Sequence, residues 1–199
     1  MKKKTGHLFV ISGPSGVGKG TLREKLFQQI SDLSYSVSVT TRKPRRDEEE
    51  GRDYYFVNEE TFKQYIKDEK FAEWALVHGE YKGTLLNTIK QNLEQGKDLV
   101  LEIDVQGALQ LKEKFPQGIF IFIAPPSWEK LEKRLRGRNT EDEEILQKRL
   151  NNAHSELKQI KHYDYLVINN HLLEALKELK CIIIAERCRV RDGLSDFKL

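Results

Sequence analysis

Four apolar runs stand out from an otherwise polar chain: Leu8–Ile11, Leu99–Ile103, Ile119–Ile123 and Tyr165–Ile168. Within them polar residues hardly interrupt, so each reads as a strand covered on both faces, the mark of a parallel sheet. Between and around them apolar residues recur at helical spacing over about 19–31, 84–96, 106–115, 128–136, 141–160 and 172–188. Strands alternating with amphipathic helices predict an α/β fold, a parallel sheet with helices on both faces.

Residues 35–82 break this rhythm. Tyr35–Val39, Tyr54–Val57 and Glu73–His78 read as short strands around one helix, Glu59–Lys67, with Asn58 as its N-cap. A small mixed β/α segment inside an α/β chain predicts an inserted lobe over the site. Residues 136–140 form a second interruption, short, basic and glycine-containing, followed by Thr140 and Glu143 at capping-box spacing. The expected organisation is one domain: a core of 1–34 and 97–199, a lobe of about 35–84, and a lid of about 136–149.

Composition narrows this little. A chain of 199 residues with 38% hydrophobic content can bury one good core. No apolar run has membrane-spanning length, and Leu8–Ile11 is too short for a signal-peptide core, so a cytoplasmic protein is expected. The net charge of +3 is too small to argue for nucleic acid. Cys181 and Cys188 read as reduced thiols, one or both packed. Local charge is more telling, since Arg42–Arg46 runs directly into the acidic stretch Asp47–Glu50.

The candidate chemistry begins where the first strand ends. Gly13, Pro14, Ser15, Gly16, Val17, Gly18, Lys19, Gly20 and Thr21 form a glycine-rich loop opening a helix with Leu22, Leu26 and Ile30 on one side. Glycines let the backbone close around an anion, and successive N–H groups point inward at the positive end of the helix. Lys19 is then placed for the β- and γ-phosphates of a nucleotide. The hydroxyl residue expected directly after the lysine is Gly20, so Thr21, one place later, is the candidate to serve a metal, through water.

Asp104 ends the Leu99–Ile103 run, where an acid can face nucleotide-bound Mg²⁺ or simply cap the next helix. Glu102 alternates away on a flat strand. Three basic groups follow the two insertions: Arg42, Arg45 and Arg46; Lys133, Arg134, Arg136 and Arg138; Lys148 and Arg149. Basic runs are usually solvated faces. Moving a phosphoryl group between two anions, however, needs several cations, and arginine's planar fork suits that task.

From Leu8 to about Arg187 the chain resembles guanylate kinases. The carrying motifs are residues 13–19, 36–45, Gly51–Phe56, Phe71–Trp74, Ile103–Gly107 and Arg134–Arg138. The resemblance implies transfer of the ATP γ-phosphoryl group to GMP, and to dGMP, with Mg²⁺ as cofactor. It implies guanine recognition by Ser38, Glu73, Thr84 and Asp104, and acceptor-phosphate binding by Arg42, Arg45 and Tyr54. Arg134, Arg138 and Arg149 correspond to arginines around the transferring group, and Asn169 to a position near adenine. Lys82 stands where the family usually has a tyrosine on the GMP phosphate, Asp47 where glycine is common, and Glu102 where aspartate is common.

A phosphate monoester with a second pKa of about 6 is already largely anionic at neutral pH, so no general base is expected. A kinase for ribose 1,5-bisphosphate, a non-catalytic binding domain of guanylate-kinase type and a nucleotide hydrolase are the rival readings. Glu73 argues against the first, the retained Lys19 against the second, and the second basic lobe against the third.

Overall fold

The molecule is described by a computed structural model over residues 5–77, 79–137 and 143–190. The expected N-cap Thr140 and the candidate Arg138 lie outside the described residues.

The four apolar runs become four strands of one parallel sheet: β1 (Leu8–Ser12), β7 (Asp98–Glu102), β8 (Ile119–Ala124) and β9 (Tyr165–Ile168). A fifth strand, β2 (Leu33–Tyr35), completes the order β2-β7-β1-β8-β9. The sheet alternates between two apolar layers. Phe9 and Ile11 pack with Leu22 and Leu26 of α1 (Lys19–Gln29) and with Leu176 and Leu179 of α7 (Leu172–Cys188). Leu8 and Val10 face the other way, onto Ile89 of α3 (Leu86–Glu94) and Leu111 of α4 (Val105–Lys114). Covering both faces is what makes the strands read as continuous apolar runs.

The inserted segment builds a second sheet from β3 (Ser38–Thr40), β4 (Tyr54–Phe56), β5 (Phe71–Val77) and β6 (Glu80–Leu85), in the order β4-β3-β6-β5. Its own core is Val39, Phe62 and Phe71, with Phe62 supplied by α2 (Glu59–Lys67). Asn58 caps α2 as expected, its side chain accepting from the Thr61 N–H at 2.7 Å. Beyond β8, α5 (Trp128–Arg136) and α6 (Glu143–Leu157) pack through Leu131, Leu135, Leu146 and Leu150.

Three local readings are corrected. Tyr35–Val39 is not one strand: Tyr35 pairs with Val100 in the core sheet, while Ser38 pairs with Tyr54 in the lobe. The chain changes sheets across Ser36 and Val37. The helix expected from residue 84 starts at Leu86, because Thr84 and Leu85 belong to β6, which pairs antiparallel with β5. Both cysteines are free and exposed rather than packed. No described helix is long and apolar enough to cross a membrane.

Candidate active site

The phosphate loop leaves the carboxyl end of β1, at the edge of the sheet where α/β folds bind ligands. Gly13, Gly16 and Gly18 all have positive φ, at 144°, 81° and 97°. All three are also pressed against neighbours, Gly16 against the Leu135 side chain. A Cβ on Gly13 would lie 2.2 Å from the Ile123 carbonyl oxygen, and one on Gly18 2.7 Å from Asn169 Nδ2. These positions admit glycine alone. Lys19 folds back over the loop, its Nζ donating to the carbonyls of Gly13 at 2.5 Å and Pro14 at 3.1 Å. An ammonium group has three N–H donors, so this arrangement leaves one for a phosphate oxygen. Burial lowers the Lys19 pKa, and the carboxylates of Glu102, Glu156 and Asp104 work against that, favouring the charged form.

Behind the loop, Asn169 directly follows β9 and is buried. Its Nδ2 donates to the Val17 carbonyl at 2.8 Å, and its own carbonyl accepts from Arg134 Nη2 at 2.9 Å. Arg134 therefore reaches the back of the loop from α5, and both residues brace the backbone that would surround the phosphates. Arg149 is half-buried on α6. Thr21 is exposed on α1 and is not among the residues lining the cleft.

The opposite wall comes from the lobe. Glu73 on β5 is only 3% exposed, and its Oε1 accepts from the Thr84 hydroxyl on β6 at 2.6 Å. Burial pushes its pKa up to about 8, against the pull of the Thr84 hydrogen bond. The second oxygen, Oε2, lies against α4, so close that a Cβ on Gly107 would approach it to 2.2 Å. That contact is secured one helical turn on. The Gln110 side chain accepts from the Trp74 N–H at 3.3 Å and donates to the Trp74 carbonyl at 2.8 Å, and Lys114 Nζ donates to the Phe71 carbonyl at 3.2 Å. Gly107, Gln110 and Lys114 share one face of α4 and cover the outer edge of β5.

Asp104 does both things a strand-end acid can do. Its Oδ1 caps α4 by accepting from the Gly107 N–H at 2.9 Å, and the residue lines the cleft. The other lining residues include Gly13, Ser15, Lys19, Ser38, Tyr54, Glu73, Lys82, Glu102 and Glu156. The cleft thus joins residues of the phosphate loop, the lobe and β7. Arg42 follows β3 and lies near Tyr54, its Cζ 5.4 Å from the ring centroid; Lys82 Nζ lies 5.5 Å from the same ring. Arg45 is exposed.

Two cleft residues differ from the sequence expectation. Glu102, expected to turn away, lines the cleft and pairs with Arg23 at 3.6 Å, because β7 ends there and its last side chain is no longer covered. Glu156, on α6, was not anticipated. Its Oε2 is buried without a hydrogen-bond partner among the described residues, and burial raises its pKa. Nothing in the helical pattern of residues 143–157 distinguishes it, since the packing of α6 over the cleft is a tertiary matter.

The arrangement suits a reaction between two anions: a backbone cradle with one lysine on one side, and a buried hydrogen-bond acceptor with arginines on the other. Comparison with known proteins agrees. The guanylate kinase family model matches residues 5–186. The chain is 51% identical to a guanylate kinase of Caldanaerobacter subterraneus subsp. tengcongensis, covering 94% of this chain and 91% of that one. It is 47% identical to a guanylate kinase of Desulfitobacterium hafniense over 96% of each. A crystal structure of guanylate kinase from Anaplasma phagocytophilum superposes with a TM-score of 0.80 at 34% identity, covering 96% of this chain and 90% of that one.

Proposed function

The chain belongs to the guanylate kinase family and so transfers the γ-phosphoryl group of ATP to GMP, giving ADP and GDP; we propose how its residues divide that task. The observation that carries the assignment is that Lys19 and Glu73 face one cleft, the first on a phosphate cradle, the second as a buried acceptor.

On the donor side, the loop from Gly13 to Thr21 holds the ATP phosphates through backbone N–H groups and the remaining donor of Lys19, while Asn169 sets the loop's back toward adenine. On the acceptor side, ionised Glu73 accepts from the N1–H and N2–H₂ edge of guanine, flanked by Ser38, Thr84 and Asp104. Adenine has no such pair of donors there, so AMP would leave a buried acceptor unpaired. Arg42, Arg45, Tyr54 and Lys82 take the acceptor phosphate. Arg134, Arg138 and Arg149 surround the transferring group, where spread negative charge builds up. The acceptor oxygen attacks as an anion, so the protein's contribution is positioning, charge neutralisation and exclusion of water.

The cleft also suits Mg²⁺. Glu102, Asp104 and Glu156 line it, and Glu156 Oε2 is a buried oxygen with no hydrogen-bond partner among the described residues. Hard oxygen donors of this kind match magnesium, which usually arrives on phosphates and keeps several waters. Among the described residues no group of three or more acids, histidines or cysteines is arranged to hold an ion alone, which fits an ion carried in by ATP. Asp104 would hold its water shell, with Thr21 a more remote candidate. When bound, Mg²⁺ would offset charge on the phosphates. The reading extends to dGMP as acceptor and to action in the cytoplasm.

A coupled assay for ADP across GMP, dGMP, AMP, CMP, UMP and ribose 1,5-bisphosphate, with and without Mg²⁺, tests these assignments. Turnover with GMP and dGMP that depends on Mg²⁺ is expected. Equal turnover of AMP would overturn the role given to Glu73, and metal-independent turnover the role given to Mg²⁺.

A further inference from the structure

The acidic run after the first arginine group contains three consecutive glutamates, and they are not equivalent. Glu49 is 66% exposed and pairs with Arg52 at 2.6 Å. Glu50 accepts the Phe56 N–H at 2.9 Å from an exposed position. Glu48 alone turns inward, with 16% of its side chain exposed against 19% for its partner Arg42. Its two oxygens accept from Arg42 Nη2 at 2.6 and 2.8 Å, and Oε2 also accepts the Arg45 backbone N–H at 2.8 Å. The other end of the guanidinium is fixed as well, with Arg42 Nη1 donating to the Lys43 carbonyl at 2.8 Å.

From this geometry we propose that Glu48 is a positioning residue for the acceptor phosphate: it holds the Arg42 guanidinium beside Tyr54 and folds residues 42–48 into a loop that presents arginine to the incoming anion. The proposal rests on the reading of Arg42 as a ligand of that phosphate.

An arginine side chain loses considerable rotamer freedom when it is held in one place. With Glu48 and the Lys43 carbonyl holding it beforehand, less of that loss falls on the binding step. Guanidinium carries five N–H donors, so the contacts to Glu48 and Lys43 leave others for phosphate oxygens. Burial opposes ionisation of Glu48, but the hydrogen bonds from Arg42 and the Arg45 backbone prevail and its pKa is lowered, so the clamp persists at neutral pH. The loop also brings the Arg45 backbone to the same carboxylate, so one side chain orders both arginine positions that the acceptor site uses.

Steady-state kinetics on the full chain test this with Glu48→Gln, Glu48→Asp, Arg42→Ala and the double variant E48Q/R42A. Glu48→Gln keeps the shape and removes the charge. It is expected to raise the KM for GMP roughly tenfold, the scale of losing a charged hydrogen bond. The KM for ATP, kcat and the thermal midpoint should stay close to those of the parent. Glu48→Asp should recover part of the GMP affinity, and E48Q should add nothing once Arg42 is gone. An unchanged KM for GMP in E48Q, with R42A impaired, overturns the proposal while leaving Arg42 in its role. A lowered KM overturns it by showing that the carboxylate competes with the phosphate. A parallel rise in the KM for ATP overturns it in favour of general damage to the lobe. An unchanged KM for GMP in R42A removes the reading of Arg42 itself, and the proposal with it.

Discussion

Thr84 donates its hydroxyl hydrogen to Glu73 across 2.6 Å, and both side chains are almost entirely withdrawn from water. The hydrogen bonding that Thr84 supplies is less than a buried carboxylate needs, so burial outweighs it and Glu73 holds its proton up to a pH of about 8. Guanine offers two donors and needs the ionised form. GMP binding should therefore release a proton near neutrality, and affinity for GMP should rise as pH increases towards 8. Calorimetry in buffers of different ionisation enthalpy reads this directly; binding without proton release at pH 7 would contradict it.

The same proton bears on stability. Glu73 titrates near 4.5 in an unfolded chain and near 8 in the folded one. The folded state thus binds the extra proton, and this contribution is complete below about 4.5 and lost as pH rises through 8. Glu73→Gln should flatten that dependence and raise the denaturation midpoint at pH 8.5 relative to the parent, while abolishing the preference for GMP over AMP. Denaturant titrations at pH 6 and 8.5 check the first effect and competition assays the second.

Gly107 sets helix propensity against steric fit. Alanine is favoured over glycine inside a helix by about 1 kcal/mol, yet its Cβ would lie 2.2 Å from Glu73 Oε2. Gly107→Ala should leave a folded protein with weakened GMP binding and reduced discrimination against AMP. The KM for ATP should barely move. Kinetics indistinguishable from the parent would show that Glu73 can shift without consequence.

Lys19→Met should keep the fold and reduce kcat by at least about a hundredfold, the scale of losing a preorganised charge at a developing anion. Circular dichroism and thermal unfolding verify the fold, and single-turnover assays measure the rest.

At the far end of the sheet, Asp98 accepts from the His7 backbone N–H at 2.8 Å and ring at 2.7 Å, and from Arg187 Nε at 2.7 Å. Burial opposes its ionisation, but the contacts from His7 and Arg187 bring its pKa down to about 2. A depressed carboxylate stabilises above its unfolded value, near 3.8, and that contribution fades as pH falls towards 2. Asp98→Asn should cost about 2 kcal/mol at pH 7 and much less at pH 2, with kinetics unaffected. Urea titrations at the two pH values test it.

The parts of this fold that could be read from the chain were those with a local cause. Leu8–Ile11 followed by Gly13–Lys19 announces strand, loop and helix because periodicity and glycine both act over a few residues. Strand β6 is not legible in the sequence because Tyr81-Lys82-Gly83 is too short to show an alternation of apolar and polar residues, and its pairing with β5 supplies what its own sequence lacks. Tyr35–Val39 was merged because a change of sheet leaves no mark on β-propensity. Glu102 and Glu156 enter the cleft through packing between distant elements. Glu73 was legible only through its motif, since nothing local shows that it is buried.

The fastening of α4 along β5 gives the lobe the mechanics of a cantilever. Gln110 and Lys114 clamp the root strand, and β6, β3 and β4 extend outward from it in that order. Glu73 sits at the clamped root, whereas Tyr54 rides on the outermost strand and Arg42 follows the one beside it. Bending such a beam displaces the tip far more than the root. The residues for the base and those for the phosphate thus sit on different strands of one sheet, and the base side is the one fastened to α4.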